Sequence, residues 1–376
     1  MSLSIRIAVY TPLNRLPIPS GVPRHIKEVV PRLMADSRLS VSLFANLAEA
    51  QCYLTQEGAP WSNAPLTTFT RSTRTMHRSW GLLGWPSFEA MGGEAEWVYL
   101  PADGYIPVRA GRLAITIHDV YLFERSGRAI LDRVQGCARW PVYWRAARRA
   151  DVIFTVSAFS ASRIMNLFDV PASKIEVISN GVSAAFFSPI RASWLTAKSK
   201  IGLPDGPFFL VSGGLKPKKN AHGILAAWER FCAIHKEGSL VITGHNAPKS
   251  EKVARTLPRV FIAPRLSDNE LVATLAEANA LVFPSFYEGF GMPALEAMAA
   301  GTPVIASSIP VFHELLGDTP VFVDPNDPNA ISNAMLSLLS NDESIAEQLE
   351  KGRCLARRYT WDEVAGRVSD VLVSLT

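Results

Sequence analysis

The chain has 376 residues, of which 48% are hydrophobic and 19% charged, a core-forming composition that excludes a disordered protein and suits two domains. Its net charge of +4 is uneven. Residues 1–190 carry 20 Lys and Arg against 14 Asp and Glu, with arginine supplying 18 of those cations, whereas residues 191–376 balance to −2. No apolar run approaches the roughly 20 residues of a membrane-spanning helix. No basic stripe on a nucleic-acid-binding motif is present, so nucleic acid is not an expected partner. Cys52, Cys137, Cys232 and Cys354 are far apart and lack ligand spacing. Reduced thiols of a cytoplasmic protein are expected, with no structural metal.

Along the chain, Ile5–Tyr10 reads as a first strand and not a secretory signal. A loop with Pro12, Pro17, Pro19 and Gly21 follows, then a helical run from Val22 to Met34. Arg71, Arg74, His77 and Arg78 precede Trp80, Leu82, Leu83, Trp85 and Phe88. Arginines mixed with aromatics suit either a segment lying on a bilayer or a mobile loop with a partly buried aromatic core. Gly81 and Gly84 argue against one continuous helix there. Buried strands are expected at Leu113–Ile117, ending at His118-Asp119, at Asp151–Val156 and at Ile175–Ile178, closed by Asn180-Gly181. Residues 188–205 read as a linker.

The second half repeats the pattern. Strands are expected at Phe208–Val211, broken by Ser212-Gly213-Gly214, at Leu240–Gly244, Val260–Ile262, Leu281–Phe283 and Val304–Ala306. After Asn326 the chain reads as helical, with Trp361 as a core anchor. Alternation of strands and helices predicts an α/β fold with a parallel, doubly wound sheet in each domain.

Three segments carry chemistry. In Ser285-Phe286-Tyr287-Glu288-Gly289-Phe290-Gly291-Met292-Pro293-Ala294-Leu295-Glu296, two carboxylates lie eight residues apart, one in a glycine-punctuated loop and one in the first turn of a helix. Pro293 sits where a first helical residue belongs and Gly301 where a C-cap glycine belongs. Both glutamates then stand at the C-terminal edge of a parallel sheet, where open α/β sheets bind ligands. Lys216-Pro217-Lys218-Lys219-Asn220 follows a strand and opens a helix, a pattern that makes an anion site. Pro264-Arg265-Leu266-Ser267-Asp268 precedes a helix capped by Ser267 or Asp268.

The run Glu-Gly-Phe-Gly-x-Pro-x-x-Glu-Ala-x-Ala-x-Gly-x-Pro-Val-Ile, residues 288–305, resembles the Glu-x7-Glu signature of retaining glycosyltransferases of family 4. The nearest likeness is to bacterial mannosyltransferases of polysaccharide assembly. This resemblance implies the GT-B fold, two Rossmann-like domains around a cleft. The N-terminal, acceptor-binding domain would span 1–190 and the C-terminal, nucleotide-sugar-binding domain 191–356, with helix 357–376 returning to the N-terminal domain. It implies that Lys219 binds the distal phosphate of the donor, with Gly214 where the family more often has arginine. Pro217-Lys218-Lys219-Asn220 is similar to the Pro-Arg-Lys-Asn of a mannosyltransferase subset, which makes Lys218 a second cation and GDP-mannose the expected donor. Glu288 would hold the reacting sugar, Glu296 the nucleotide ribose, and the N–H groups of Gly289, Phe290 and Gly291 the diphosphate. His118 would contact the donor sugar, Arg265 and Leu266 would bracket the base, and Thr243-Gly244 would let the chain pass the donor.

Ser20-Gly21-Val22-Pro23-Arg24 resembles the family's first glycine loop, which implies Gly21 and Arg24 at the acceptor or its phosphate. The acceptor would be a saccharide, free or polyprenyl-diphosphate-linked, and no cofactor or metal would be required. The arginine-rich first half fits solvated helix faces as well as peripheral contact with an anionic membrane on its inner face. A UDP-sugar transferase or epimerase of the same fold and a non-catalytic sugar-binding protein are the alternatives. An oxidoreductase is disfavoured because no Gly-x-Gly-x-x-Gly follows a strand with an acidic residue about 20 positions on.

Overall fold

In the computed structural model the described residues are 4–12, 21–54, 64–124, 130–339 and 343–376. Pro17, Pro19 and Ser20 lie outside them. The elements in order are β1 (Ile5–Tyr10), α1 (Gly21–Ala35), β2 (Leu39–Asn46), α2 (Leu47–Leu54), β3 (Leu66–Phe69), α3 (Thr73–Leu83), β4 (Trp97–Leu100), β5 (Arg112–Ile117), α4 (Ile130–Arg149), β6 (Val152–Thr155), α5 (Ala158–Phe168) and β7 (Ile175–Val177). There follow α6 (Arg191–Ile201), β8 (Phe208–Ser212), α7 (Ala221–Ile234), β9 (Ser239–Thr243), α8 (Pro248–Ala254), β10 (Val260–Ile262), α9 (Asp268–Glu277), β11 (Ala280–Phe283) and α10 (Met292–Ala300). The last are β12 (Val304–Ser307), α11 (Pro310–Leu316), β13 (Val321–Val323), α12 (Pro328–Ser337), α13 (Glu343–Ala356) and α14 (Trp361–Ser374).

The chain forms two compact units, one of residues 1–181 with 361–376 and one of residues 182–360. In the first, seven parallel strands take the order β3-β2-β1-β4-β5-β6-β7. Strand order reverses between β1 and β4, the switch point of a doubly wound sheet. The central strands are buried on both faces, which is why they read as unbroken apolar runs. Helix α14 packs on α1: Trp361 meets the His25 ring at 5.8 Å between centroids, and Arg32 and Arg38 pair with Asp362 and Asp370 at 2.6 and 2.7 Å. Trp97 Nε1 donates to Thr376 Oγ1 at 2.9 Å.

The second unit is a six-stranded parallel sheet ordered β10-β9-β8-β11-β12-β13, reversing between β8 and β11. Its core gathers Phe209, Leu240, Ile242, Val282 and Ile305 under Trp228 and Phe231 of α7.

Two expectations change. The stretch 188–205 is not a linker. Residues 184–187 form a 3-10 turn packed on α9 and α10, and α6 fills most of the remainder. Trp194, Ala197 and Ile201 of α6 are buried, and Lys200 pairs with Glu270 of α9. The division between units therefore falls at Gly181/Val182, and not at residue 190. Segment 73–83 is one continuous helix, α3. Gly81 is retained inside it because α4 comes so close that a Cβ would meet Val142 Cγ2 at 2.5 Å. Gly84, at φ +65°, is the C-cap.

Candidate active site

In the second unit, the loops that leave β8 and β11 stand on either side of the switch point and carry the predicted lysines and Glu288. After β8 a 3-10 turn, Pro217–Lys219, leads into α7, whose N-cap is Asn220 at φ 59°. The Asn220 side chain accepts from Gly223 N at 3.1 Å and donates to Pro325 O at 2.6 Å, which fixes where the helix begins. The loop after β11 is tied to that turn by its backbone, because Phe286 N donates to Lys218 O at 3.0 Å. Glu288 thereby meets both cations, with Lys219 Nζ at 3.8 Å from Oε1 and Lys218 Nζ at 3.9 Å from Oε2. Ser285 Oγ donates to Glu288 Oε1 at 3.0 Å.

Lys219 is mostly buried, with Nζ 4.6 Å from the Phe283 ring centroid and 3.4 Å from Ser212 O. Burial pushes its ammonium below the ordinary lysine range. Glu288 opposes that shift, while Lys218 and Lys216 add to it. The result is a desolvated cation held by one carboxylate and ready to take a second anion.

The floor is made of glycines in left-handed conformations. Gly213 has φ +89°, and a Cβ there would meet Lys219 Nζ at 2.6 Å. Gly214 has φ +80°, and its Cβ would lie 2.1 Å from His245 O. Gly244 has φ +100°, and its Cβ would strike the Gly213 backbone at 2.9 Å. Backbone packs on backbone where Gly214 and Gly244 meet at the ends of β8 and β9, and the Lys219 side chain lies directly over Gly213.

Gly291, at φ +103°, is the N-cap of α10, with Pro293 in the first turn and Gly301 as C-cap. Glu296 is 4% exposed on α10, one helical turn in, and its charge reaches Lys219. Arg265 is exposed and Leu266 half-buried in the loop from β10 to α9. Ser267, and not Asp268, caps α9, in a capping box with Glu270. Two predicted donor contacts are employed otherwise. The Phe290 ring is buried, edge-on to Tyr359 at 5.8 Å, and Thr243 Oγ1 donates to Val211 O at 3.3 Å. Only their backbones remain for a ligand.

In the first unit, Gly21 opens α1 beyond β1, and Arg24 is half-buried in its first turn. His118 follows β5 at 9% exposure. Its Nε2–H donates to Pro101 O at 3.0 Å, and its backbone N–H donates to Asp103 Oδ1 at 3.2 Å. Its ring stands edge-on to His25, 4.8 Å between centroids. His25 and Asp103 were not predicted. His25 directly follows Arg24, on the buried face of α1. Asp103 sits in the loop after β4, where recessed placement pushes its carboxyl up and the charges of His118 and Arg139 pull it down. Tyr143 is hydrogen-bonded to that same carboxyl. An acidic residue just past a strand at the switch point was the available signal. Among the described residues no group of three His, Cys, Asp or Glu could hold a metal ion.

The sequence pattern of the glycosyl transferases of group 1 matches residues 196–353, and that of glycosyltransferase family 4 matches residues 96–186. The chain belongs to this glycosyltransferase family. It is 29% identical over 274 residues to the O-antigen chain mannosyltransferase B of Escherichia coli, covering 71% of each chain. It is 28% identical to the O-antigen chain mannosyltransferase RfbU of Salmonella typhimurium, covering 69% of this chain and 68% of that one. Among solved structures, Anabaena HepE in complex with UDP-glucose superimposes with a TM-score of 0.71 at 16% identity, covering 98% of this chain and all of HepE. The fold is GT-B.

Proposed function

We propose that this glycosyltransferase moves mannose from GDP-mannose to a saccharide acceptor carried on a lipid, with retention of anomeric configuration, in cell-surface polysaccharide assembly. The observation that carries the reading is the placement of Lys218, Lys219 and Glu288 across the switch point of the second sheet, with both ammonium groups within 3.9 Å of the Glu288 carboxylate. The likeness to the two O-antigen mannosyltransferases supports the sugar and the setting.

In this reading the departing diphosphate gathers negative charge, which Lys219, Lys218 and the N–H groups of Gly289 and Gly291 stabilise from fixed positions. The sugar develops oxocarbenium character, and Glu288 binds its hydroxyls and stabilises that charge. Glu296, held on α10, takes the ribose hydroxyls. His118 is assigned to sugar contact by resemblance. The lysines supply the positive charge, so turnover is expected to persist in EDTA.

A UDP-sugar donor is the second reading, favoured by the likeness to HepE, whose structure contains UDP-glucose. Thermal shift with GDP, UDP, ADP and dTDP separates the two. Stabilisation by GDP supports mannose transfer, and stabilisation by UDP alone sinks it. Product NMR then reads the anomeric configuration.

A further inference from the structure

The C-terminal end of α3 presents three large apolar side chains to water: Leu82, Leu83 and Trp85 are 61%, 73% and 53% exposed. Scattered exposed apolar residues need no explanation, but three within four positions do. They are not a loose coil. Gly84 N donates to Ser79 O and Trp80 O at 3.1 and 3.2 Å, and Arg145 donates to Leu82 O at 2.9 Å. Ser79 Oγ donates to Trp85 O, and Trp80 Nε1 donates to Pro86 O at 3.0 Å. Earlier in α3, Met76 and Trp80 are buried in the core. A backbone fixed at four points holds these side chains out when they could have folded inward.

Beside them opens a cavity of about 460 Å3 lined by Leu83, Gly84, Tyr105, Arg109, Arg145 and Arg149. Arg109 and Arg149 are exposed, and among the described residues neither forms an ion pair. The two nearby carboxylates are engaged by backbone donors: Asp151 by Leu113 N at 2.8 Å, and Glu89 by Arg109 N and Ala110 N at 2.9 and 3.0 Å. Three guanidinium groups ringing a cavity next to a projecting apolar corner match a phosphate-bearing headgroup layer over acyl chains.

We propose that the Leu82–Trp85 corner, with Arg109, Arg145 and Arg149, docks the first unit on an anionic phospholipid bilayer. The corner enters the acyl boundary and the arginines hold headgroup phosphates. This deepens the lipid-carried-acceptor reading and rests on it for its biological use, not for its geometry.

The test is co-sedimentation of the full chain, without substrates, with vesicles of phosphatidylcholine alone or with roughly a third phosphatidylglycerol. Binding is expected on the anionic vesicles only, weakening as salt rises. Leu82→Ser/Leu83→Ser/Trp85→Ser is expected to lose roughly tenfold or more in affinity. Arg109→Gln/Arg149→Gln is expected to lose about tenfold and to flatten the salt dependence. These side chains are exposed, so the variants keep the parent melting curve. Equal binding to both vesicle types, unchanged binding by the apolar triple variant, or no binding would each overturn the proposal. Transfer assayed with a detergent-dispersed acceptor reads the functional proposal separately, since none of these residues belongs to the candidate active site.

Discussion

His25 Nδ1 lies 2.8 Å from Asn180 Oδ1, while the same ring stands edge-on to His118, with 83° between their planes. Helix α1, the turn after β7 and the end of β5 are thus clamped through one buried imidazole. Burial and the neighbouring His118 push its pKa down to about 3, against the hydrogen bond that its Nδ1–H donates to Asn180 Oδ1. Folded, His25 stays neutral where an unfolded chain binds a proton, so stability rises with pH between about 3 and the ordinary 6.5 and is lost on acidification. Between pH 6.5 and 5 the wild type should lose about 1–2 kcal/mol from this group alone. In His25→Asn that portion should vanish. Urea midpoints at the two pH values check it, and equal pH slopes for wild type and variant would refute it.

Lys219→Ala should lower turnover by about 10²–10³-fold, the usual cost of removing one fixed donor to a developing charge, while leaving the melting temperature within a few degrees. Wild-type turnover in this variant would remove the phosphate role.

Glu288→Gln tests the electrostatics from the other side. Glu288 holds the Lys219 ammonium up against burial, so its loss lowers that lysine's pKa further. Nucleotide affinity in the variant should then fall with rising pH at a lower pH than in the wild type. Titration calorimetry across the alkaline range reads the midpoint, and an unshifted midpoint contradicts the coupling.

Much of this site was legible in the residues. The Glu288–Gly301 loop and helix announce themselves through glycines and proline at positions where few other residues serve, and Lys219-Asn220 through a cation before a cap. The clamp on His118 was not legible. A histidine inside an amphipathic helix shows no sign of its partner 155 residues away, because the contact is made by chain crossover and not by local spacing. Similarly, α6 reads as a linker because Pro204 to Pro207 punctuate its exit, although Trp194 and Ile201 are buried. Strand β2 does alternate apolar and polar residues over Leu39-Ser40-Val41-Ser42-Leu43, whereas β3, with four residues, is too short to show a period.

Gly214→Ala places a Cβ 2.1 Å from His245 O on a left-handed backbone. Strain of about 1–3 kcal/mol is expected before the clash is counted, visible as a melting temperature several degrees lower, together with weakened diphosphate binding. A neutral substitution would mean that the floor of the site relaxes.

The proposed docking corner lies where β5 and β6 begin, since Leu113 and Asp151 line its cavity, and His118 lies where β5 ends. Six residues of strand set about 20 Å between them. If the corner sits on lipid, His118 stands clear of the headgroups. Lipid-linked acceptors carrying several sugars should then be extended faster than one carrying a single sugar. Equal rates on vesicle-borne acceptors of both lengths would contradict that arrangement.

Helix α14 completes the first unit, yet the ribosome makes it only after the whole second unit has been synthesised. Until then Trp97, His25 and the α1 face that pairs through Arg32 and Arg38 lack their partners. The nascent chain must therefore carry an unfinished first unit while the later one folds. That interval exposes apolar surface to aggregation and to chaperones. A stop codon placed just ahead of Trp361 would make the interval permanent.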